Sequence, residues 1–245
     1  MKIVLASAPV MYGKTDRNLQ VIIGYLEAYS GKADLVLFGE SVLQGFDCLC
    51  WDYETDKMMA VALSDVSIHR VRESAKKNGI AVSFGFIELA GDVLYSSQIF
   101  IGADGRIENI FHRVSVGWKD STRTDEHYRE GDHFEKFCYG GKSFAVGLCG
   151  DLWTDGRPEE MKELGADVVL WPVWCDYKSD DWNTRIKYEY AEQAALCGGY
   201  VLLVNPFCAD ADVTDAAAGG AVFFQNGHIA VERPSGESGV LLVEV

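Results

Sequence analysis

An α/β domain whose mixed sheets are covered by helices is the fold class this sequence predicts, on three observations. Apolar, β-branched runs alternate with helical patterns along the whole chain. Two hairpin signals, at Asp104-Gly105 and Asn226-Gly227, sit among them and add antiparallel pairs to an alternation that would otherwise build parallel sheets. No internal repeat or low-complexity linker divides the 245 residues, so one domain over residues 1–245 is the economical reading.

Taken in order, residues 2–8 read as a first strand and residues 16–30 as a helix. That helix carries Leu19, Ile22, Ile23 and Leu26 on one face and stops at Gly31. Residues 34–38 (DLVLF) form a short buried strand. Residues 56–78 read as one helix, with Met59, Leu63, Val66 and Val71 on a stripe and Gly79 as its stop, followed by a strand over 80–86. Residues 94–101 and 106–111 flank Asp104-Gly105, a dipeptide suited to the positive φ angles of a tight turn. Residues 114–134, rich in charge and containing Gly117 and Gly131, read as an ordered functional loop. A strand over 143–149 ends at Cys149. Pro158, with Glu159 and Glu160 behind it, opens a short helix as proline and acids favour. A buried strand over 166–172 follows, then a helix over 183–197 ended by Gly198-Gly199, and a strand over 200–206. AVFF pairs with HIAVER around Asn226-Gly227, and GVLLVEV closes the chain.

Composition narrows the function. A net charge of −15 argues against a nucleic-acid binder, because phosphate neutralisation needs clustered Lys and Arg, so no such partner is expected. No apolar run approaches a membrane span, and MKIVLASAPV reads as a buried strand rather than a signal peptide, which makes the cytoplasm the default location. Seven cysteines, an odd number spread along the chain, do not suggest a disulfide framework. Cys48-x-Cys50 lacks a second His or Cys pair at metal spacing, so neither a metal nor any other cofactor is expected.

Three chemistry-bearing residues stand near strand ends, where rigid backbone meets open loops: Glu40 after LVLFG, Arg113 after IENIF, and Cys149 after SFAVGL. A cysteine nucleophile needs a base to take its proton and a cation or N–H groups to hold a developing oxyanion. These residues supply the three types. Each also has a plainer reading: a buried structural thiol, the start of a solvated loop, a surface arginine.

The sequences around them decide between those readings. LVLFGESVLQGFD resembles the glutamate-bearing signature of the nitrilase, or carbon–nitrogen hydrolase, superfamily, and AVGLCGDLW resembles its nucleophile segment. ADGRIENIFHR, YREGDHFEKF, RPEEMKELGADVVLWP, YVLLVNP and AAAGGAVFFQNGHIAVE follow in the family's order, so the resemblance spans nearly the whole chain. It implies a four-layer α-β-β-α sandwich and a Glu-Lys-Cys catalytic set. Glu40 would be the general base and Cys149 the nucleophile, cleaving a small amide or N-carbamoyl compound through a thioester. Asp151 would orient the loop after Cys149. The resemblance also implies at least a homodimer.

The sequence departs from that pattern in three places. Where relatives carry the catalytic lysine this chain has Arg113, whose planar fork keeps the charge but does not readily yield a proton. Lys119, six residues on, is the substitute. The family's second glutamate has Glu126 as its counterpart, although Thr124 occupies the more natural register and Asp125 lies between. Gly39 stands where a proline often precedes the glutamate. Trp153, Trp174 and Asp176 fall where the family places substrate contacts; for the tryptophans, core or dimer packing is the alternative. Asp176 with Asp180 and Asp181 would suit an amine-bearing substrate, or simply form a solvated acidic loop. Two other functions fit the same features. One is a catalytically silent member that binds a metabolite or a partner, and the other is a glutaminase subunit that supplies ammonia to a partner.

Overall fold

The computed structural model describes residues 1–210, 213 and 215–245. Its strands are β1 (Lys2–Ser7), β2 (Pro9–Val10), β3 (Leu35–Phe38), β4 (Ala81–Ala90), β5 (Val93–Ile101), β6 (Ile107–His112) and β7 (Lys136–Tyr139). They continue as β8 (Lys142–Val146), β9 (Val168–Pro172), β10 (Tyr200–Val204), β11 (Phe207–Cys208), β12 (Ala221–Gln225), β13 (His228–Arg233) and β14 (Gly239–Glu244). The helices are α1 (Thr15–Tyr29), the single turn α2 (Tyr53–Asp56), α3 (Val66–Asn78), α4 (Arg157–Glu163), the turn α5 (Ser179–Asp181) and α6 (Lys187–Cys197).

Two six-stranded mixed sheets stack face to face. The first has the order β14-β1-β3-β4-β5-β6 and the second β13-β12-β10-β9-β8-β7, while β2 and β11 form a small parallel pair beside them. In each sheet the central strands β1, β3, β4 or β8, β9, β10 run parallel, and antiparallel strands flank them. Side chains alternate across each strand and so sort themselves into layers. Ile3, Leu5, Leu35 and Leu37 join the core shared with the second sheet, whereas Val4, Ala6, Val36 and Phe38 pack under α1 and α3. On the far side α6 lies against α4 and against β12 and β13. The result is the four-layer α-β-β-α sandwich. No helix among the described residues is long and apolar enough to cross a membrane.

Several elements depart from the sequence reading. The helix expected over residues 56–78 is broken. Asp56 turns inward to accept the Cys50 and Trp51 N–H groups and the Tyr128 hydroxyl, and Val61 is drawn into a bridge beside Glu88. A new helix starts only where Asp65 caps it, accepting from the Ser67 N–H at 2.8 Å. The final helix begins earlier than expected, at α5, and reaches α6 through one wide π-type turn (Trp182–Ile186). Strand β7 and its turn with β8 went unread, because Lys136–Tyr139 alternates only weakly at a sheet edge. Strand β8 ends at Val146, so Cys149 opens a separate short turn of 3₁₀ helix (Cys149–Trp153) rather than finishing the strand.

One close approach sets the position of the loop after β3. A methyl group added at Gly85, in β4, would strike the backbone of Glu40 and Ser41. Gly24, in the middle of α1, has open space around it. Urea unfolding should therefore separate the two: Gly85→Ala is expected to destabilise the protein by about 1–3 kcal/mol. Gly24→Ala is expected to stabilise it by roughly 0.5–1 kcal/mol through helix propensity.

Candidate active site

The parallel strands end at one edge of the sandwich, the usual position of a site in α/β sheets. Glu40 follows β3, Cys149 follows β8, Cys175 follows β9, Asn205 follows β10, and Arg113 follows the antiparallel β6. Glu40 and Ser41 are fully buried and Arg113 is 4% exposed, so two full charges sit in the interior.

They are paired. Arg113 Nη1 donates to Glu40 Oε1 at 2.9 Å, and Arg113 Nε donates to Ser115 Oγ at 2.8 Å. The Ser96 hydroxyl gives Glu40 Oε1 a second bond at 3.0 Å. Glu40 Oε2 has no hydrogen-bond partner among the described residues, which leaves one carboxylate oxygen free to take a proton. The remaining guanidinium nitrogen, Nη2, lies beside Gly150: a methyl group there would sit 2.9 Å from it. Arginine thus reaches from the carboxylate to the residue after the cysteine. Burial opposes its charge, but Glu40, Cys149 and Asp151 together outweigh that cost and raise its pKa above the ordinary value.

Cys149 is half-buried and has φ +44°, in the left-handed region that β-carbons disfavour. Its carbonyl accepts the Trp171 indole N–H at 2.9 Å, and its sulfur lies 3.7 Å from the Trp174 carbonyl. Hydrogen bonding from Cys175, the largest influence, with help from Arg113, holds the Cys149 thiol below the usual range despite burial and the Glu40 charge. Asp151 is fully buried. Its Oδ1 accepts the N–H groups of Val114 (3.1 Å) and Ser115 (2.8 Å), and its Oδ2 accepts that of Leu148 (2.9 Å). Burial pushes its carboxyl up to about 6 against the pull of Arg113 and those donors. Asp151 therefore ties the loop after β6 to the loop after β8.

The other expected residues fall elsewhere. Lys119 forms an ion pair with Glu130 at 2.8 Å and donates to the Tyr128 carbonyl, so it is engaged within its own loop and joins neither Glu40 nor Cys149. Glu126 is exposed, and its backbone carbonyl accepts a hydrogen bond from Arg129 Nε. The tight turns that lock this loop, with Asp125 accepting the His127 N–H, direct the segment outward. Thr124 donates to the Asp120 carbonyl. Trp153 is 43% exposed and rests on Trp171 and Tyr190. The Trp174 ring is buried against Tyr12 and Phe46, so its carbonyl rather than its ring faces the cysteine. Asp176 is exposed. Gly39 is explained by Pro206, whose Cδ would lie 2.5 Å from any β-carbon there. Ser96, Ser115, Cys175, Tyr190 and Asn205 went unread. Ser115, two residues from Arg113, and Cys175, between Trp174 and Asp176, are the two with a candidate close by in sequence.

The family model for carbon–nitrogen hydrolase matches residues 5–245, and the chain belongs to that family. An arylacetonitrilase from Hypocrea virens is 36% identical over 34% of this chain and 27% of its own length. An (R)-stereoselective amidase from Pseudomonas sp. is 25% identical over 69% of this chain and 59% of its own length. The N-carbamoylputrescine amidase of Solanum tuberosum is 21% identical over 86% of this chain and 71% of its own. The chain thus spans under two thirds of the first two relatives. Among solved structures, the amidase of Nesterenkonia sp. AN1, with acrylamide added at its active-site cysteine, superposes with a TM-score of 0.77. That match has 18% identity and covers 100% of this chain and 93% of the other.

Replacing either charge should expose the dependence of one on the other. Arg113→Met is expected to cost about 3–5 kcal/mol in urea unfolding, because it leaves Glu40 buried and unpaired. Lys119→Met is expected to leave the alkylation rate of Cys149 close to that of the unaltered protein.

Proposed function

We propose that this protein hydrolyses the C–N bond of a small amide or N-carbamoyl compound through a cysteine thioester. The observation that carries the reading is the buried Glu40–Arg113 pair beside the cysteine turn, with Arg113 Nη2 next to Gly150 and Glu40 Oε2 buried and free. Glu40 Oε2 takes the thiol proton, and the Cys149 sulfur attacks the carbonyl carbon. The oxyanion forms beside the Arg113 guanidinium and the N–H groups that open the 3₁₀ turn, which have no partners within it. Collapse breaks the C–N bond, and the leaving amine departs with the proton held by Glu40. Water then gives its proton to Glu40 and attacks the thioester, releasing the acid and restoring the thiol.

In this scheme Glu40 carries the proton throughout, so an arginine in place of the family's lysine has only charge to supply. The amide and N-carbamoyl relatives support that substrate range. A cytoplasmic location and a homodimer belong to the same proposal. The second is checked by light scattering of the purified chain.

The test is ammonia release from a panel of small amides, N-carbamoyl amines, glutamine and nitriles. The expected result is turnover of an amide or carbamoyl compound that Cys149→Ala lowers by at least about 10³-fold. Arg113→Ala is expected to lower kcat by about 10²–10³-fold as the loss of an oxyanion donor, with Lys119→Ala near unaltered. Silence across the panel would move the assignment to a binding protein on a hydrolase fold. In iodoacetamide labelling, Cys149 is expected to react faster than the other six thiols, with an inflection below the ordinary thiol pKa of about 8.5.

A further inference from the structure

Cys175 is a buried thiol that the hydrolytic scheme does not use. It is 5% exposed, whereas Cys149 is half-buried. The Asn205 side chain holds both its N–H and its carbonyl at 2.9 Å, and its sulfur lies 3.2 Å from the Tyr190 hydroxyl. Its place in the fold is therefore set by three bonds. The Cys149 sulfur lies 3.7 Å from the Trp174 carbonyl, which belongs to the peptide joining Trp174 to Cys175. Standard peptide dimensions then put that sulfur within about 6.5 Å of the Cys175 Cα.

Each thiol is the largest influence on the other's proton affinity: Cys175 draws Cys149 down, and Cys149 pushes Cys175 well above the usual range. One thiol is partly open and inclined to ionise, and the other is sealed and inclined to stay protonated. An open thiol inclined to ionise is the oxidant-sensitive member of such a pair, and a neighbouring thiol is what can resolve its sulfenic acid.

We propose that Cys149 and Cys175 are a redox pair that closes into an intramolecular disulfide when a peroxide reaches the site. The Cys149 thiolate attacks one peroxide oxygen, the O–O bond breaks, and the hydroxide that leaves takes the proton given up by the Cys149 thiol to become water. The resulting sulfenic acid is attacked by the Cys175 sulfur, the S–O bond breaks, and the hydroxide released takes the Cys175 proton. In sum two thiols lose two electrons, one peroxide is reduced to two waters, and the sulfur intended for substrate is capped reversibly. The effect on activity rests on the hydrolase reading above; the disulfide itself does not.

The chain offers a clean assay. Trypsin cuts after Lys142, Lys162 and Lys178, and Arg157 is shielded by Pro158, so residues 143–162 and 163–178 carry one cysteine each. After graded hydrogen peroxide, the expected result is these two peptides joined with the loss of two hydrogens. Dithiothreitol should restore both the free thiols and the turnover. In Cys175→Ser, Cys149 should proceed to sulfinic acid, and thiol recovery by dithiothreitol should fall at least about tenfold. Oxidation of Cys149 in the unaltered protein without the joined peptides would overturn the proposal. So would a Cys149 that stays reduced while the exposed Cys50 and Cys138 oxidise. The joined peptides are read in the unaltered chain, so the result stands even if the variant misfolds. A protein that forms the bond yet hydrolyses nothing would refute the hydrolase reading alone.

Discussion

Arg113 and Glu40 form an ion pair with almost no access to water, and the rest of the site is arranged around that fact. Withdrawing two charges from solvent costs several kcal/mol for each, and their attraction offsets this only when the remaining donors and acceptors are also satisfied. The surroundings answer that demand. Ser96 supplies a second bond to Glu40, Ser115 takes the Arg113 Nε, and Asp151 adds negative charge 4.0 Å away. These groups come from the strand β5, the loop after β6 and the loop after β8, so the pair joins both sheets at one edge. Its single unmet acceptor, Glu40 Oε2, is the atom that a proton transfer requires.

Backbone strain also lies next to the same groups. Ser41, immediately after Glu40, has φ +48°, and Cys149 has φ +44°. Two non-glycine residues in the left-handed region cost of order 1–3 kcal/mol each, and such conformations persist only where neighbours over-determine them. Here the neighbours are identifiable. The Trp171 indole holds the Cys149 carbonyl, Asp151 holds Leu148, and the absence of a side chain at Gly85 lets the Glu40–Ser41 backbone lie against β4. The aromatic residues Trp153, Trp171, Trp182 and Tyr190 pack around one another beside this turn, giving the cysteine a stiff mounting.

What could be read from the sequence shares one property: it depends on short-range patterns. Glu40 and Arg113 follow apolar strands whose alternation is visible, and Asp104-Gly105 and Asn226-Gly227 announce their turns, with φ +81° at Gly105 and +50° at Asn226. The break between α2 and α3 was hidden because Asp56 answers to Cys50, Trp51 and Tyr128, the last of them 72 residues away. Glu126 and Lys119 have suitable chemistry and plausible spacing, yet local turns and Glu130 hold them out of the site.

The sequence by itself determined most of the order of strands and helices, the family, and the identity of the glutamate, arginine and cysteine near the strand ends. Hydrophobic alternation and turn chemistry are local, and a chain displays them residue by residue. Only the tertiary structure decided that Arg113 rather than Lys119 meets Glu40, and that a second thiol from the turn after β9 adjoins Cys149. Those pairings depend on how two sheets stack and on which buried charges must find partners. That requirement acts across 73 residues between Glu40 and Arg113, and no local pattern records it.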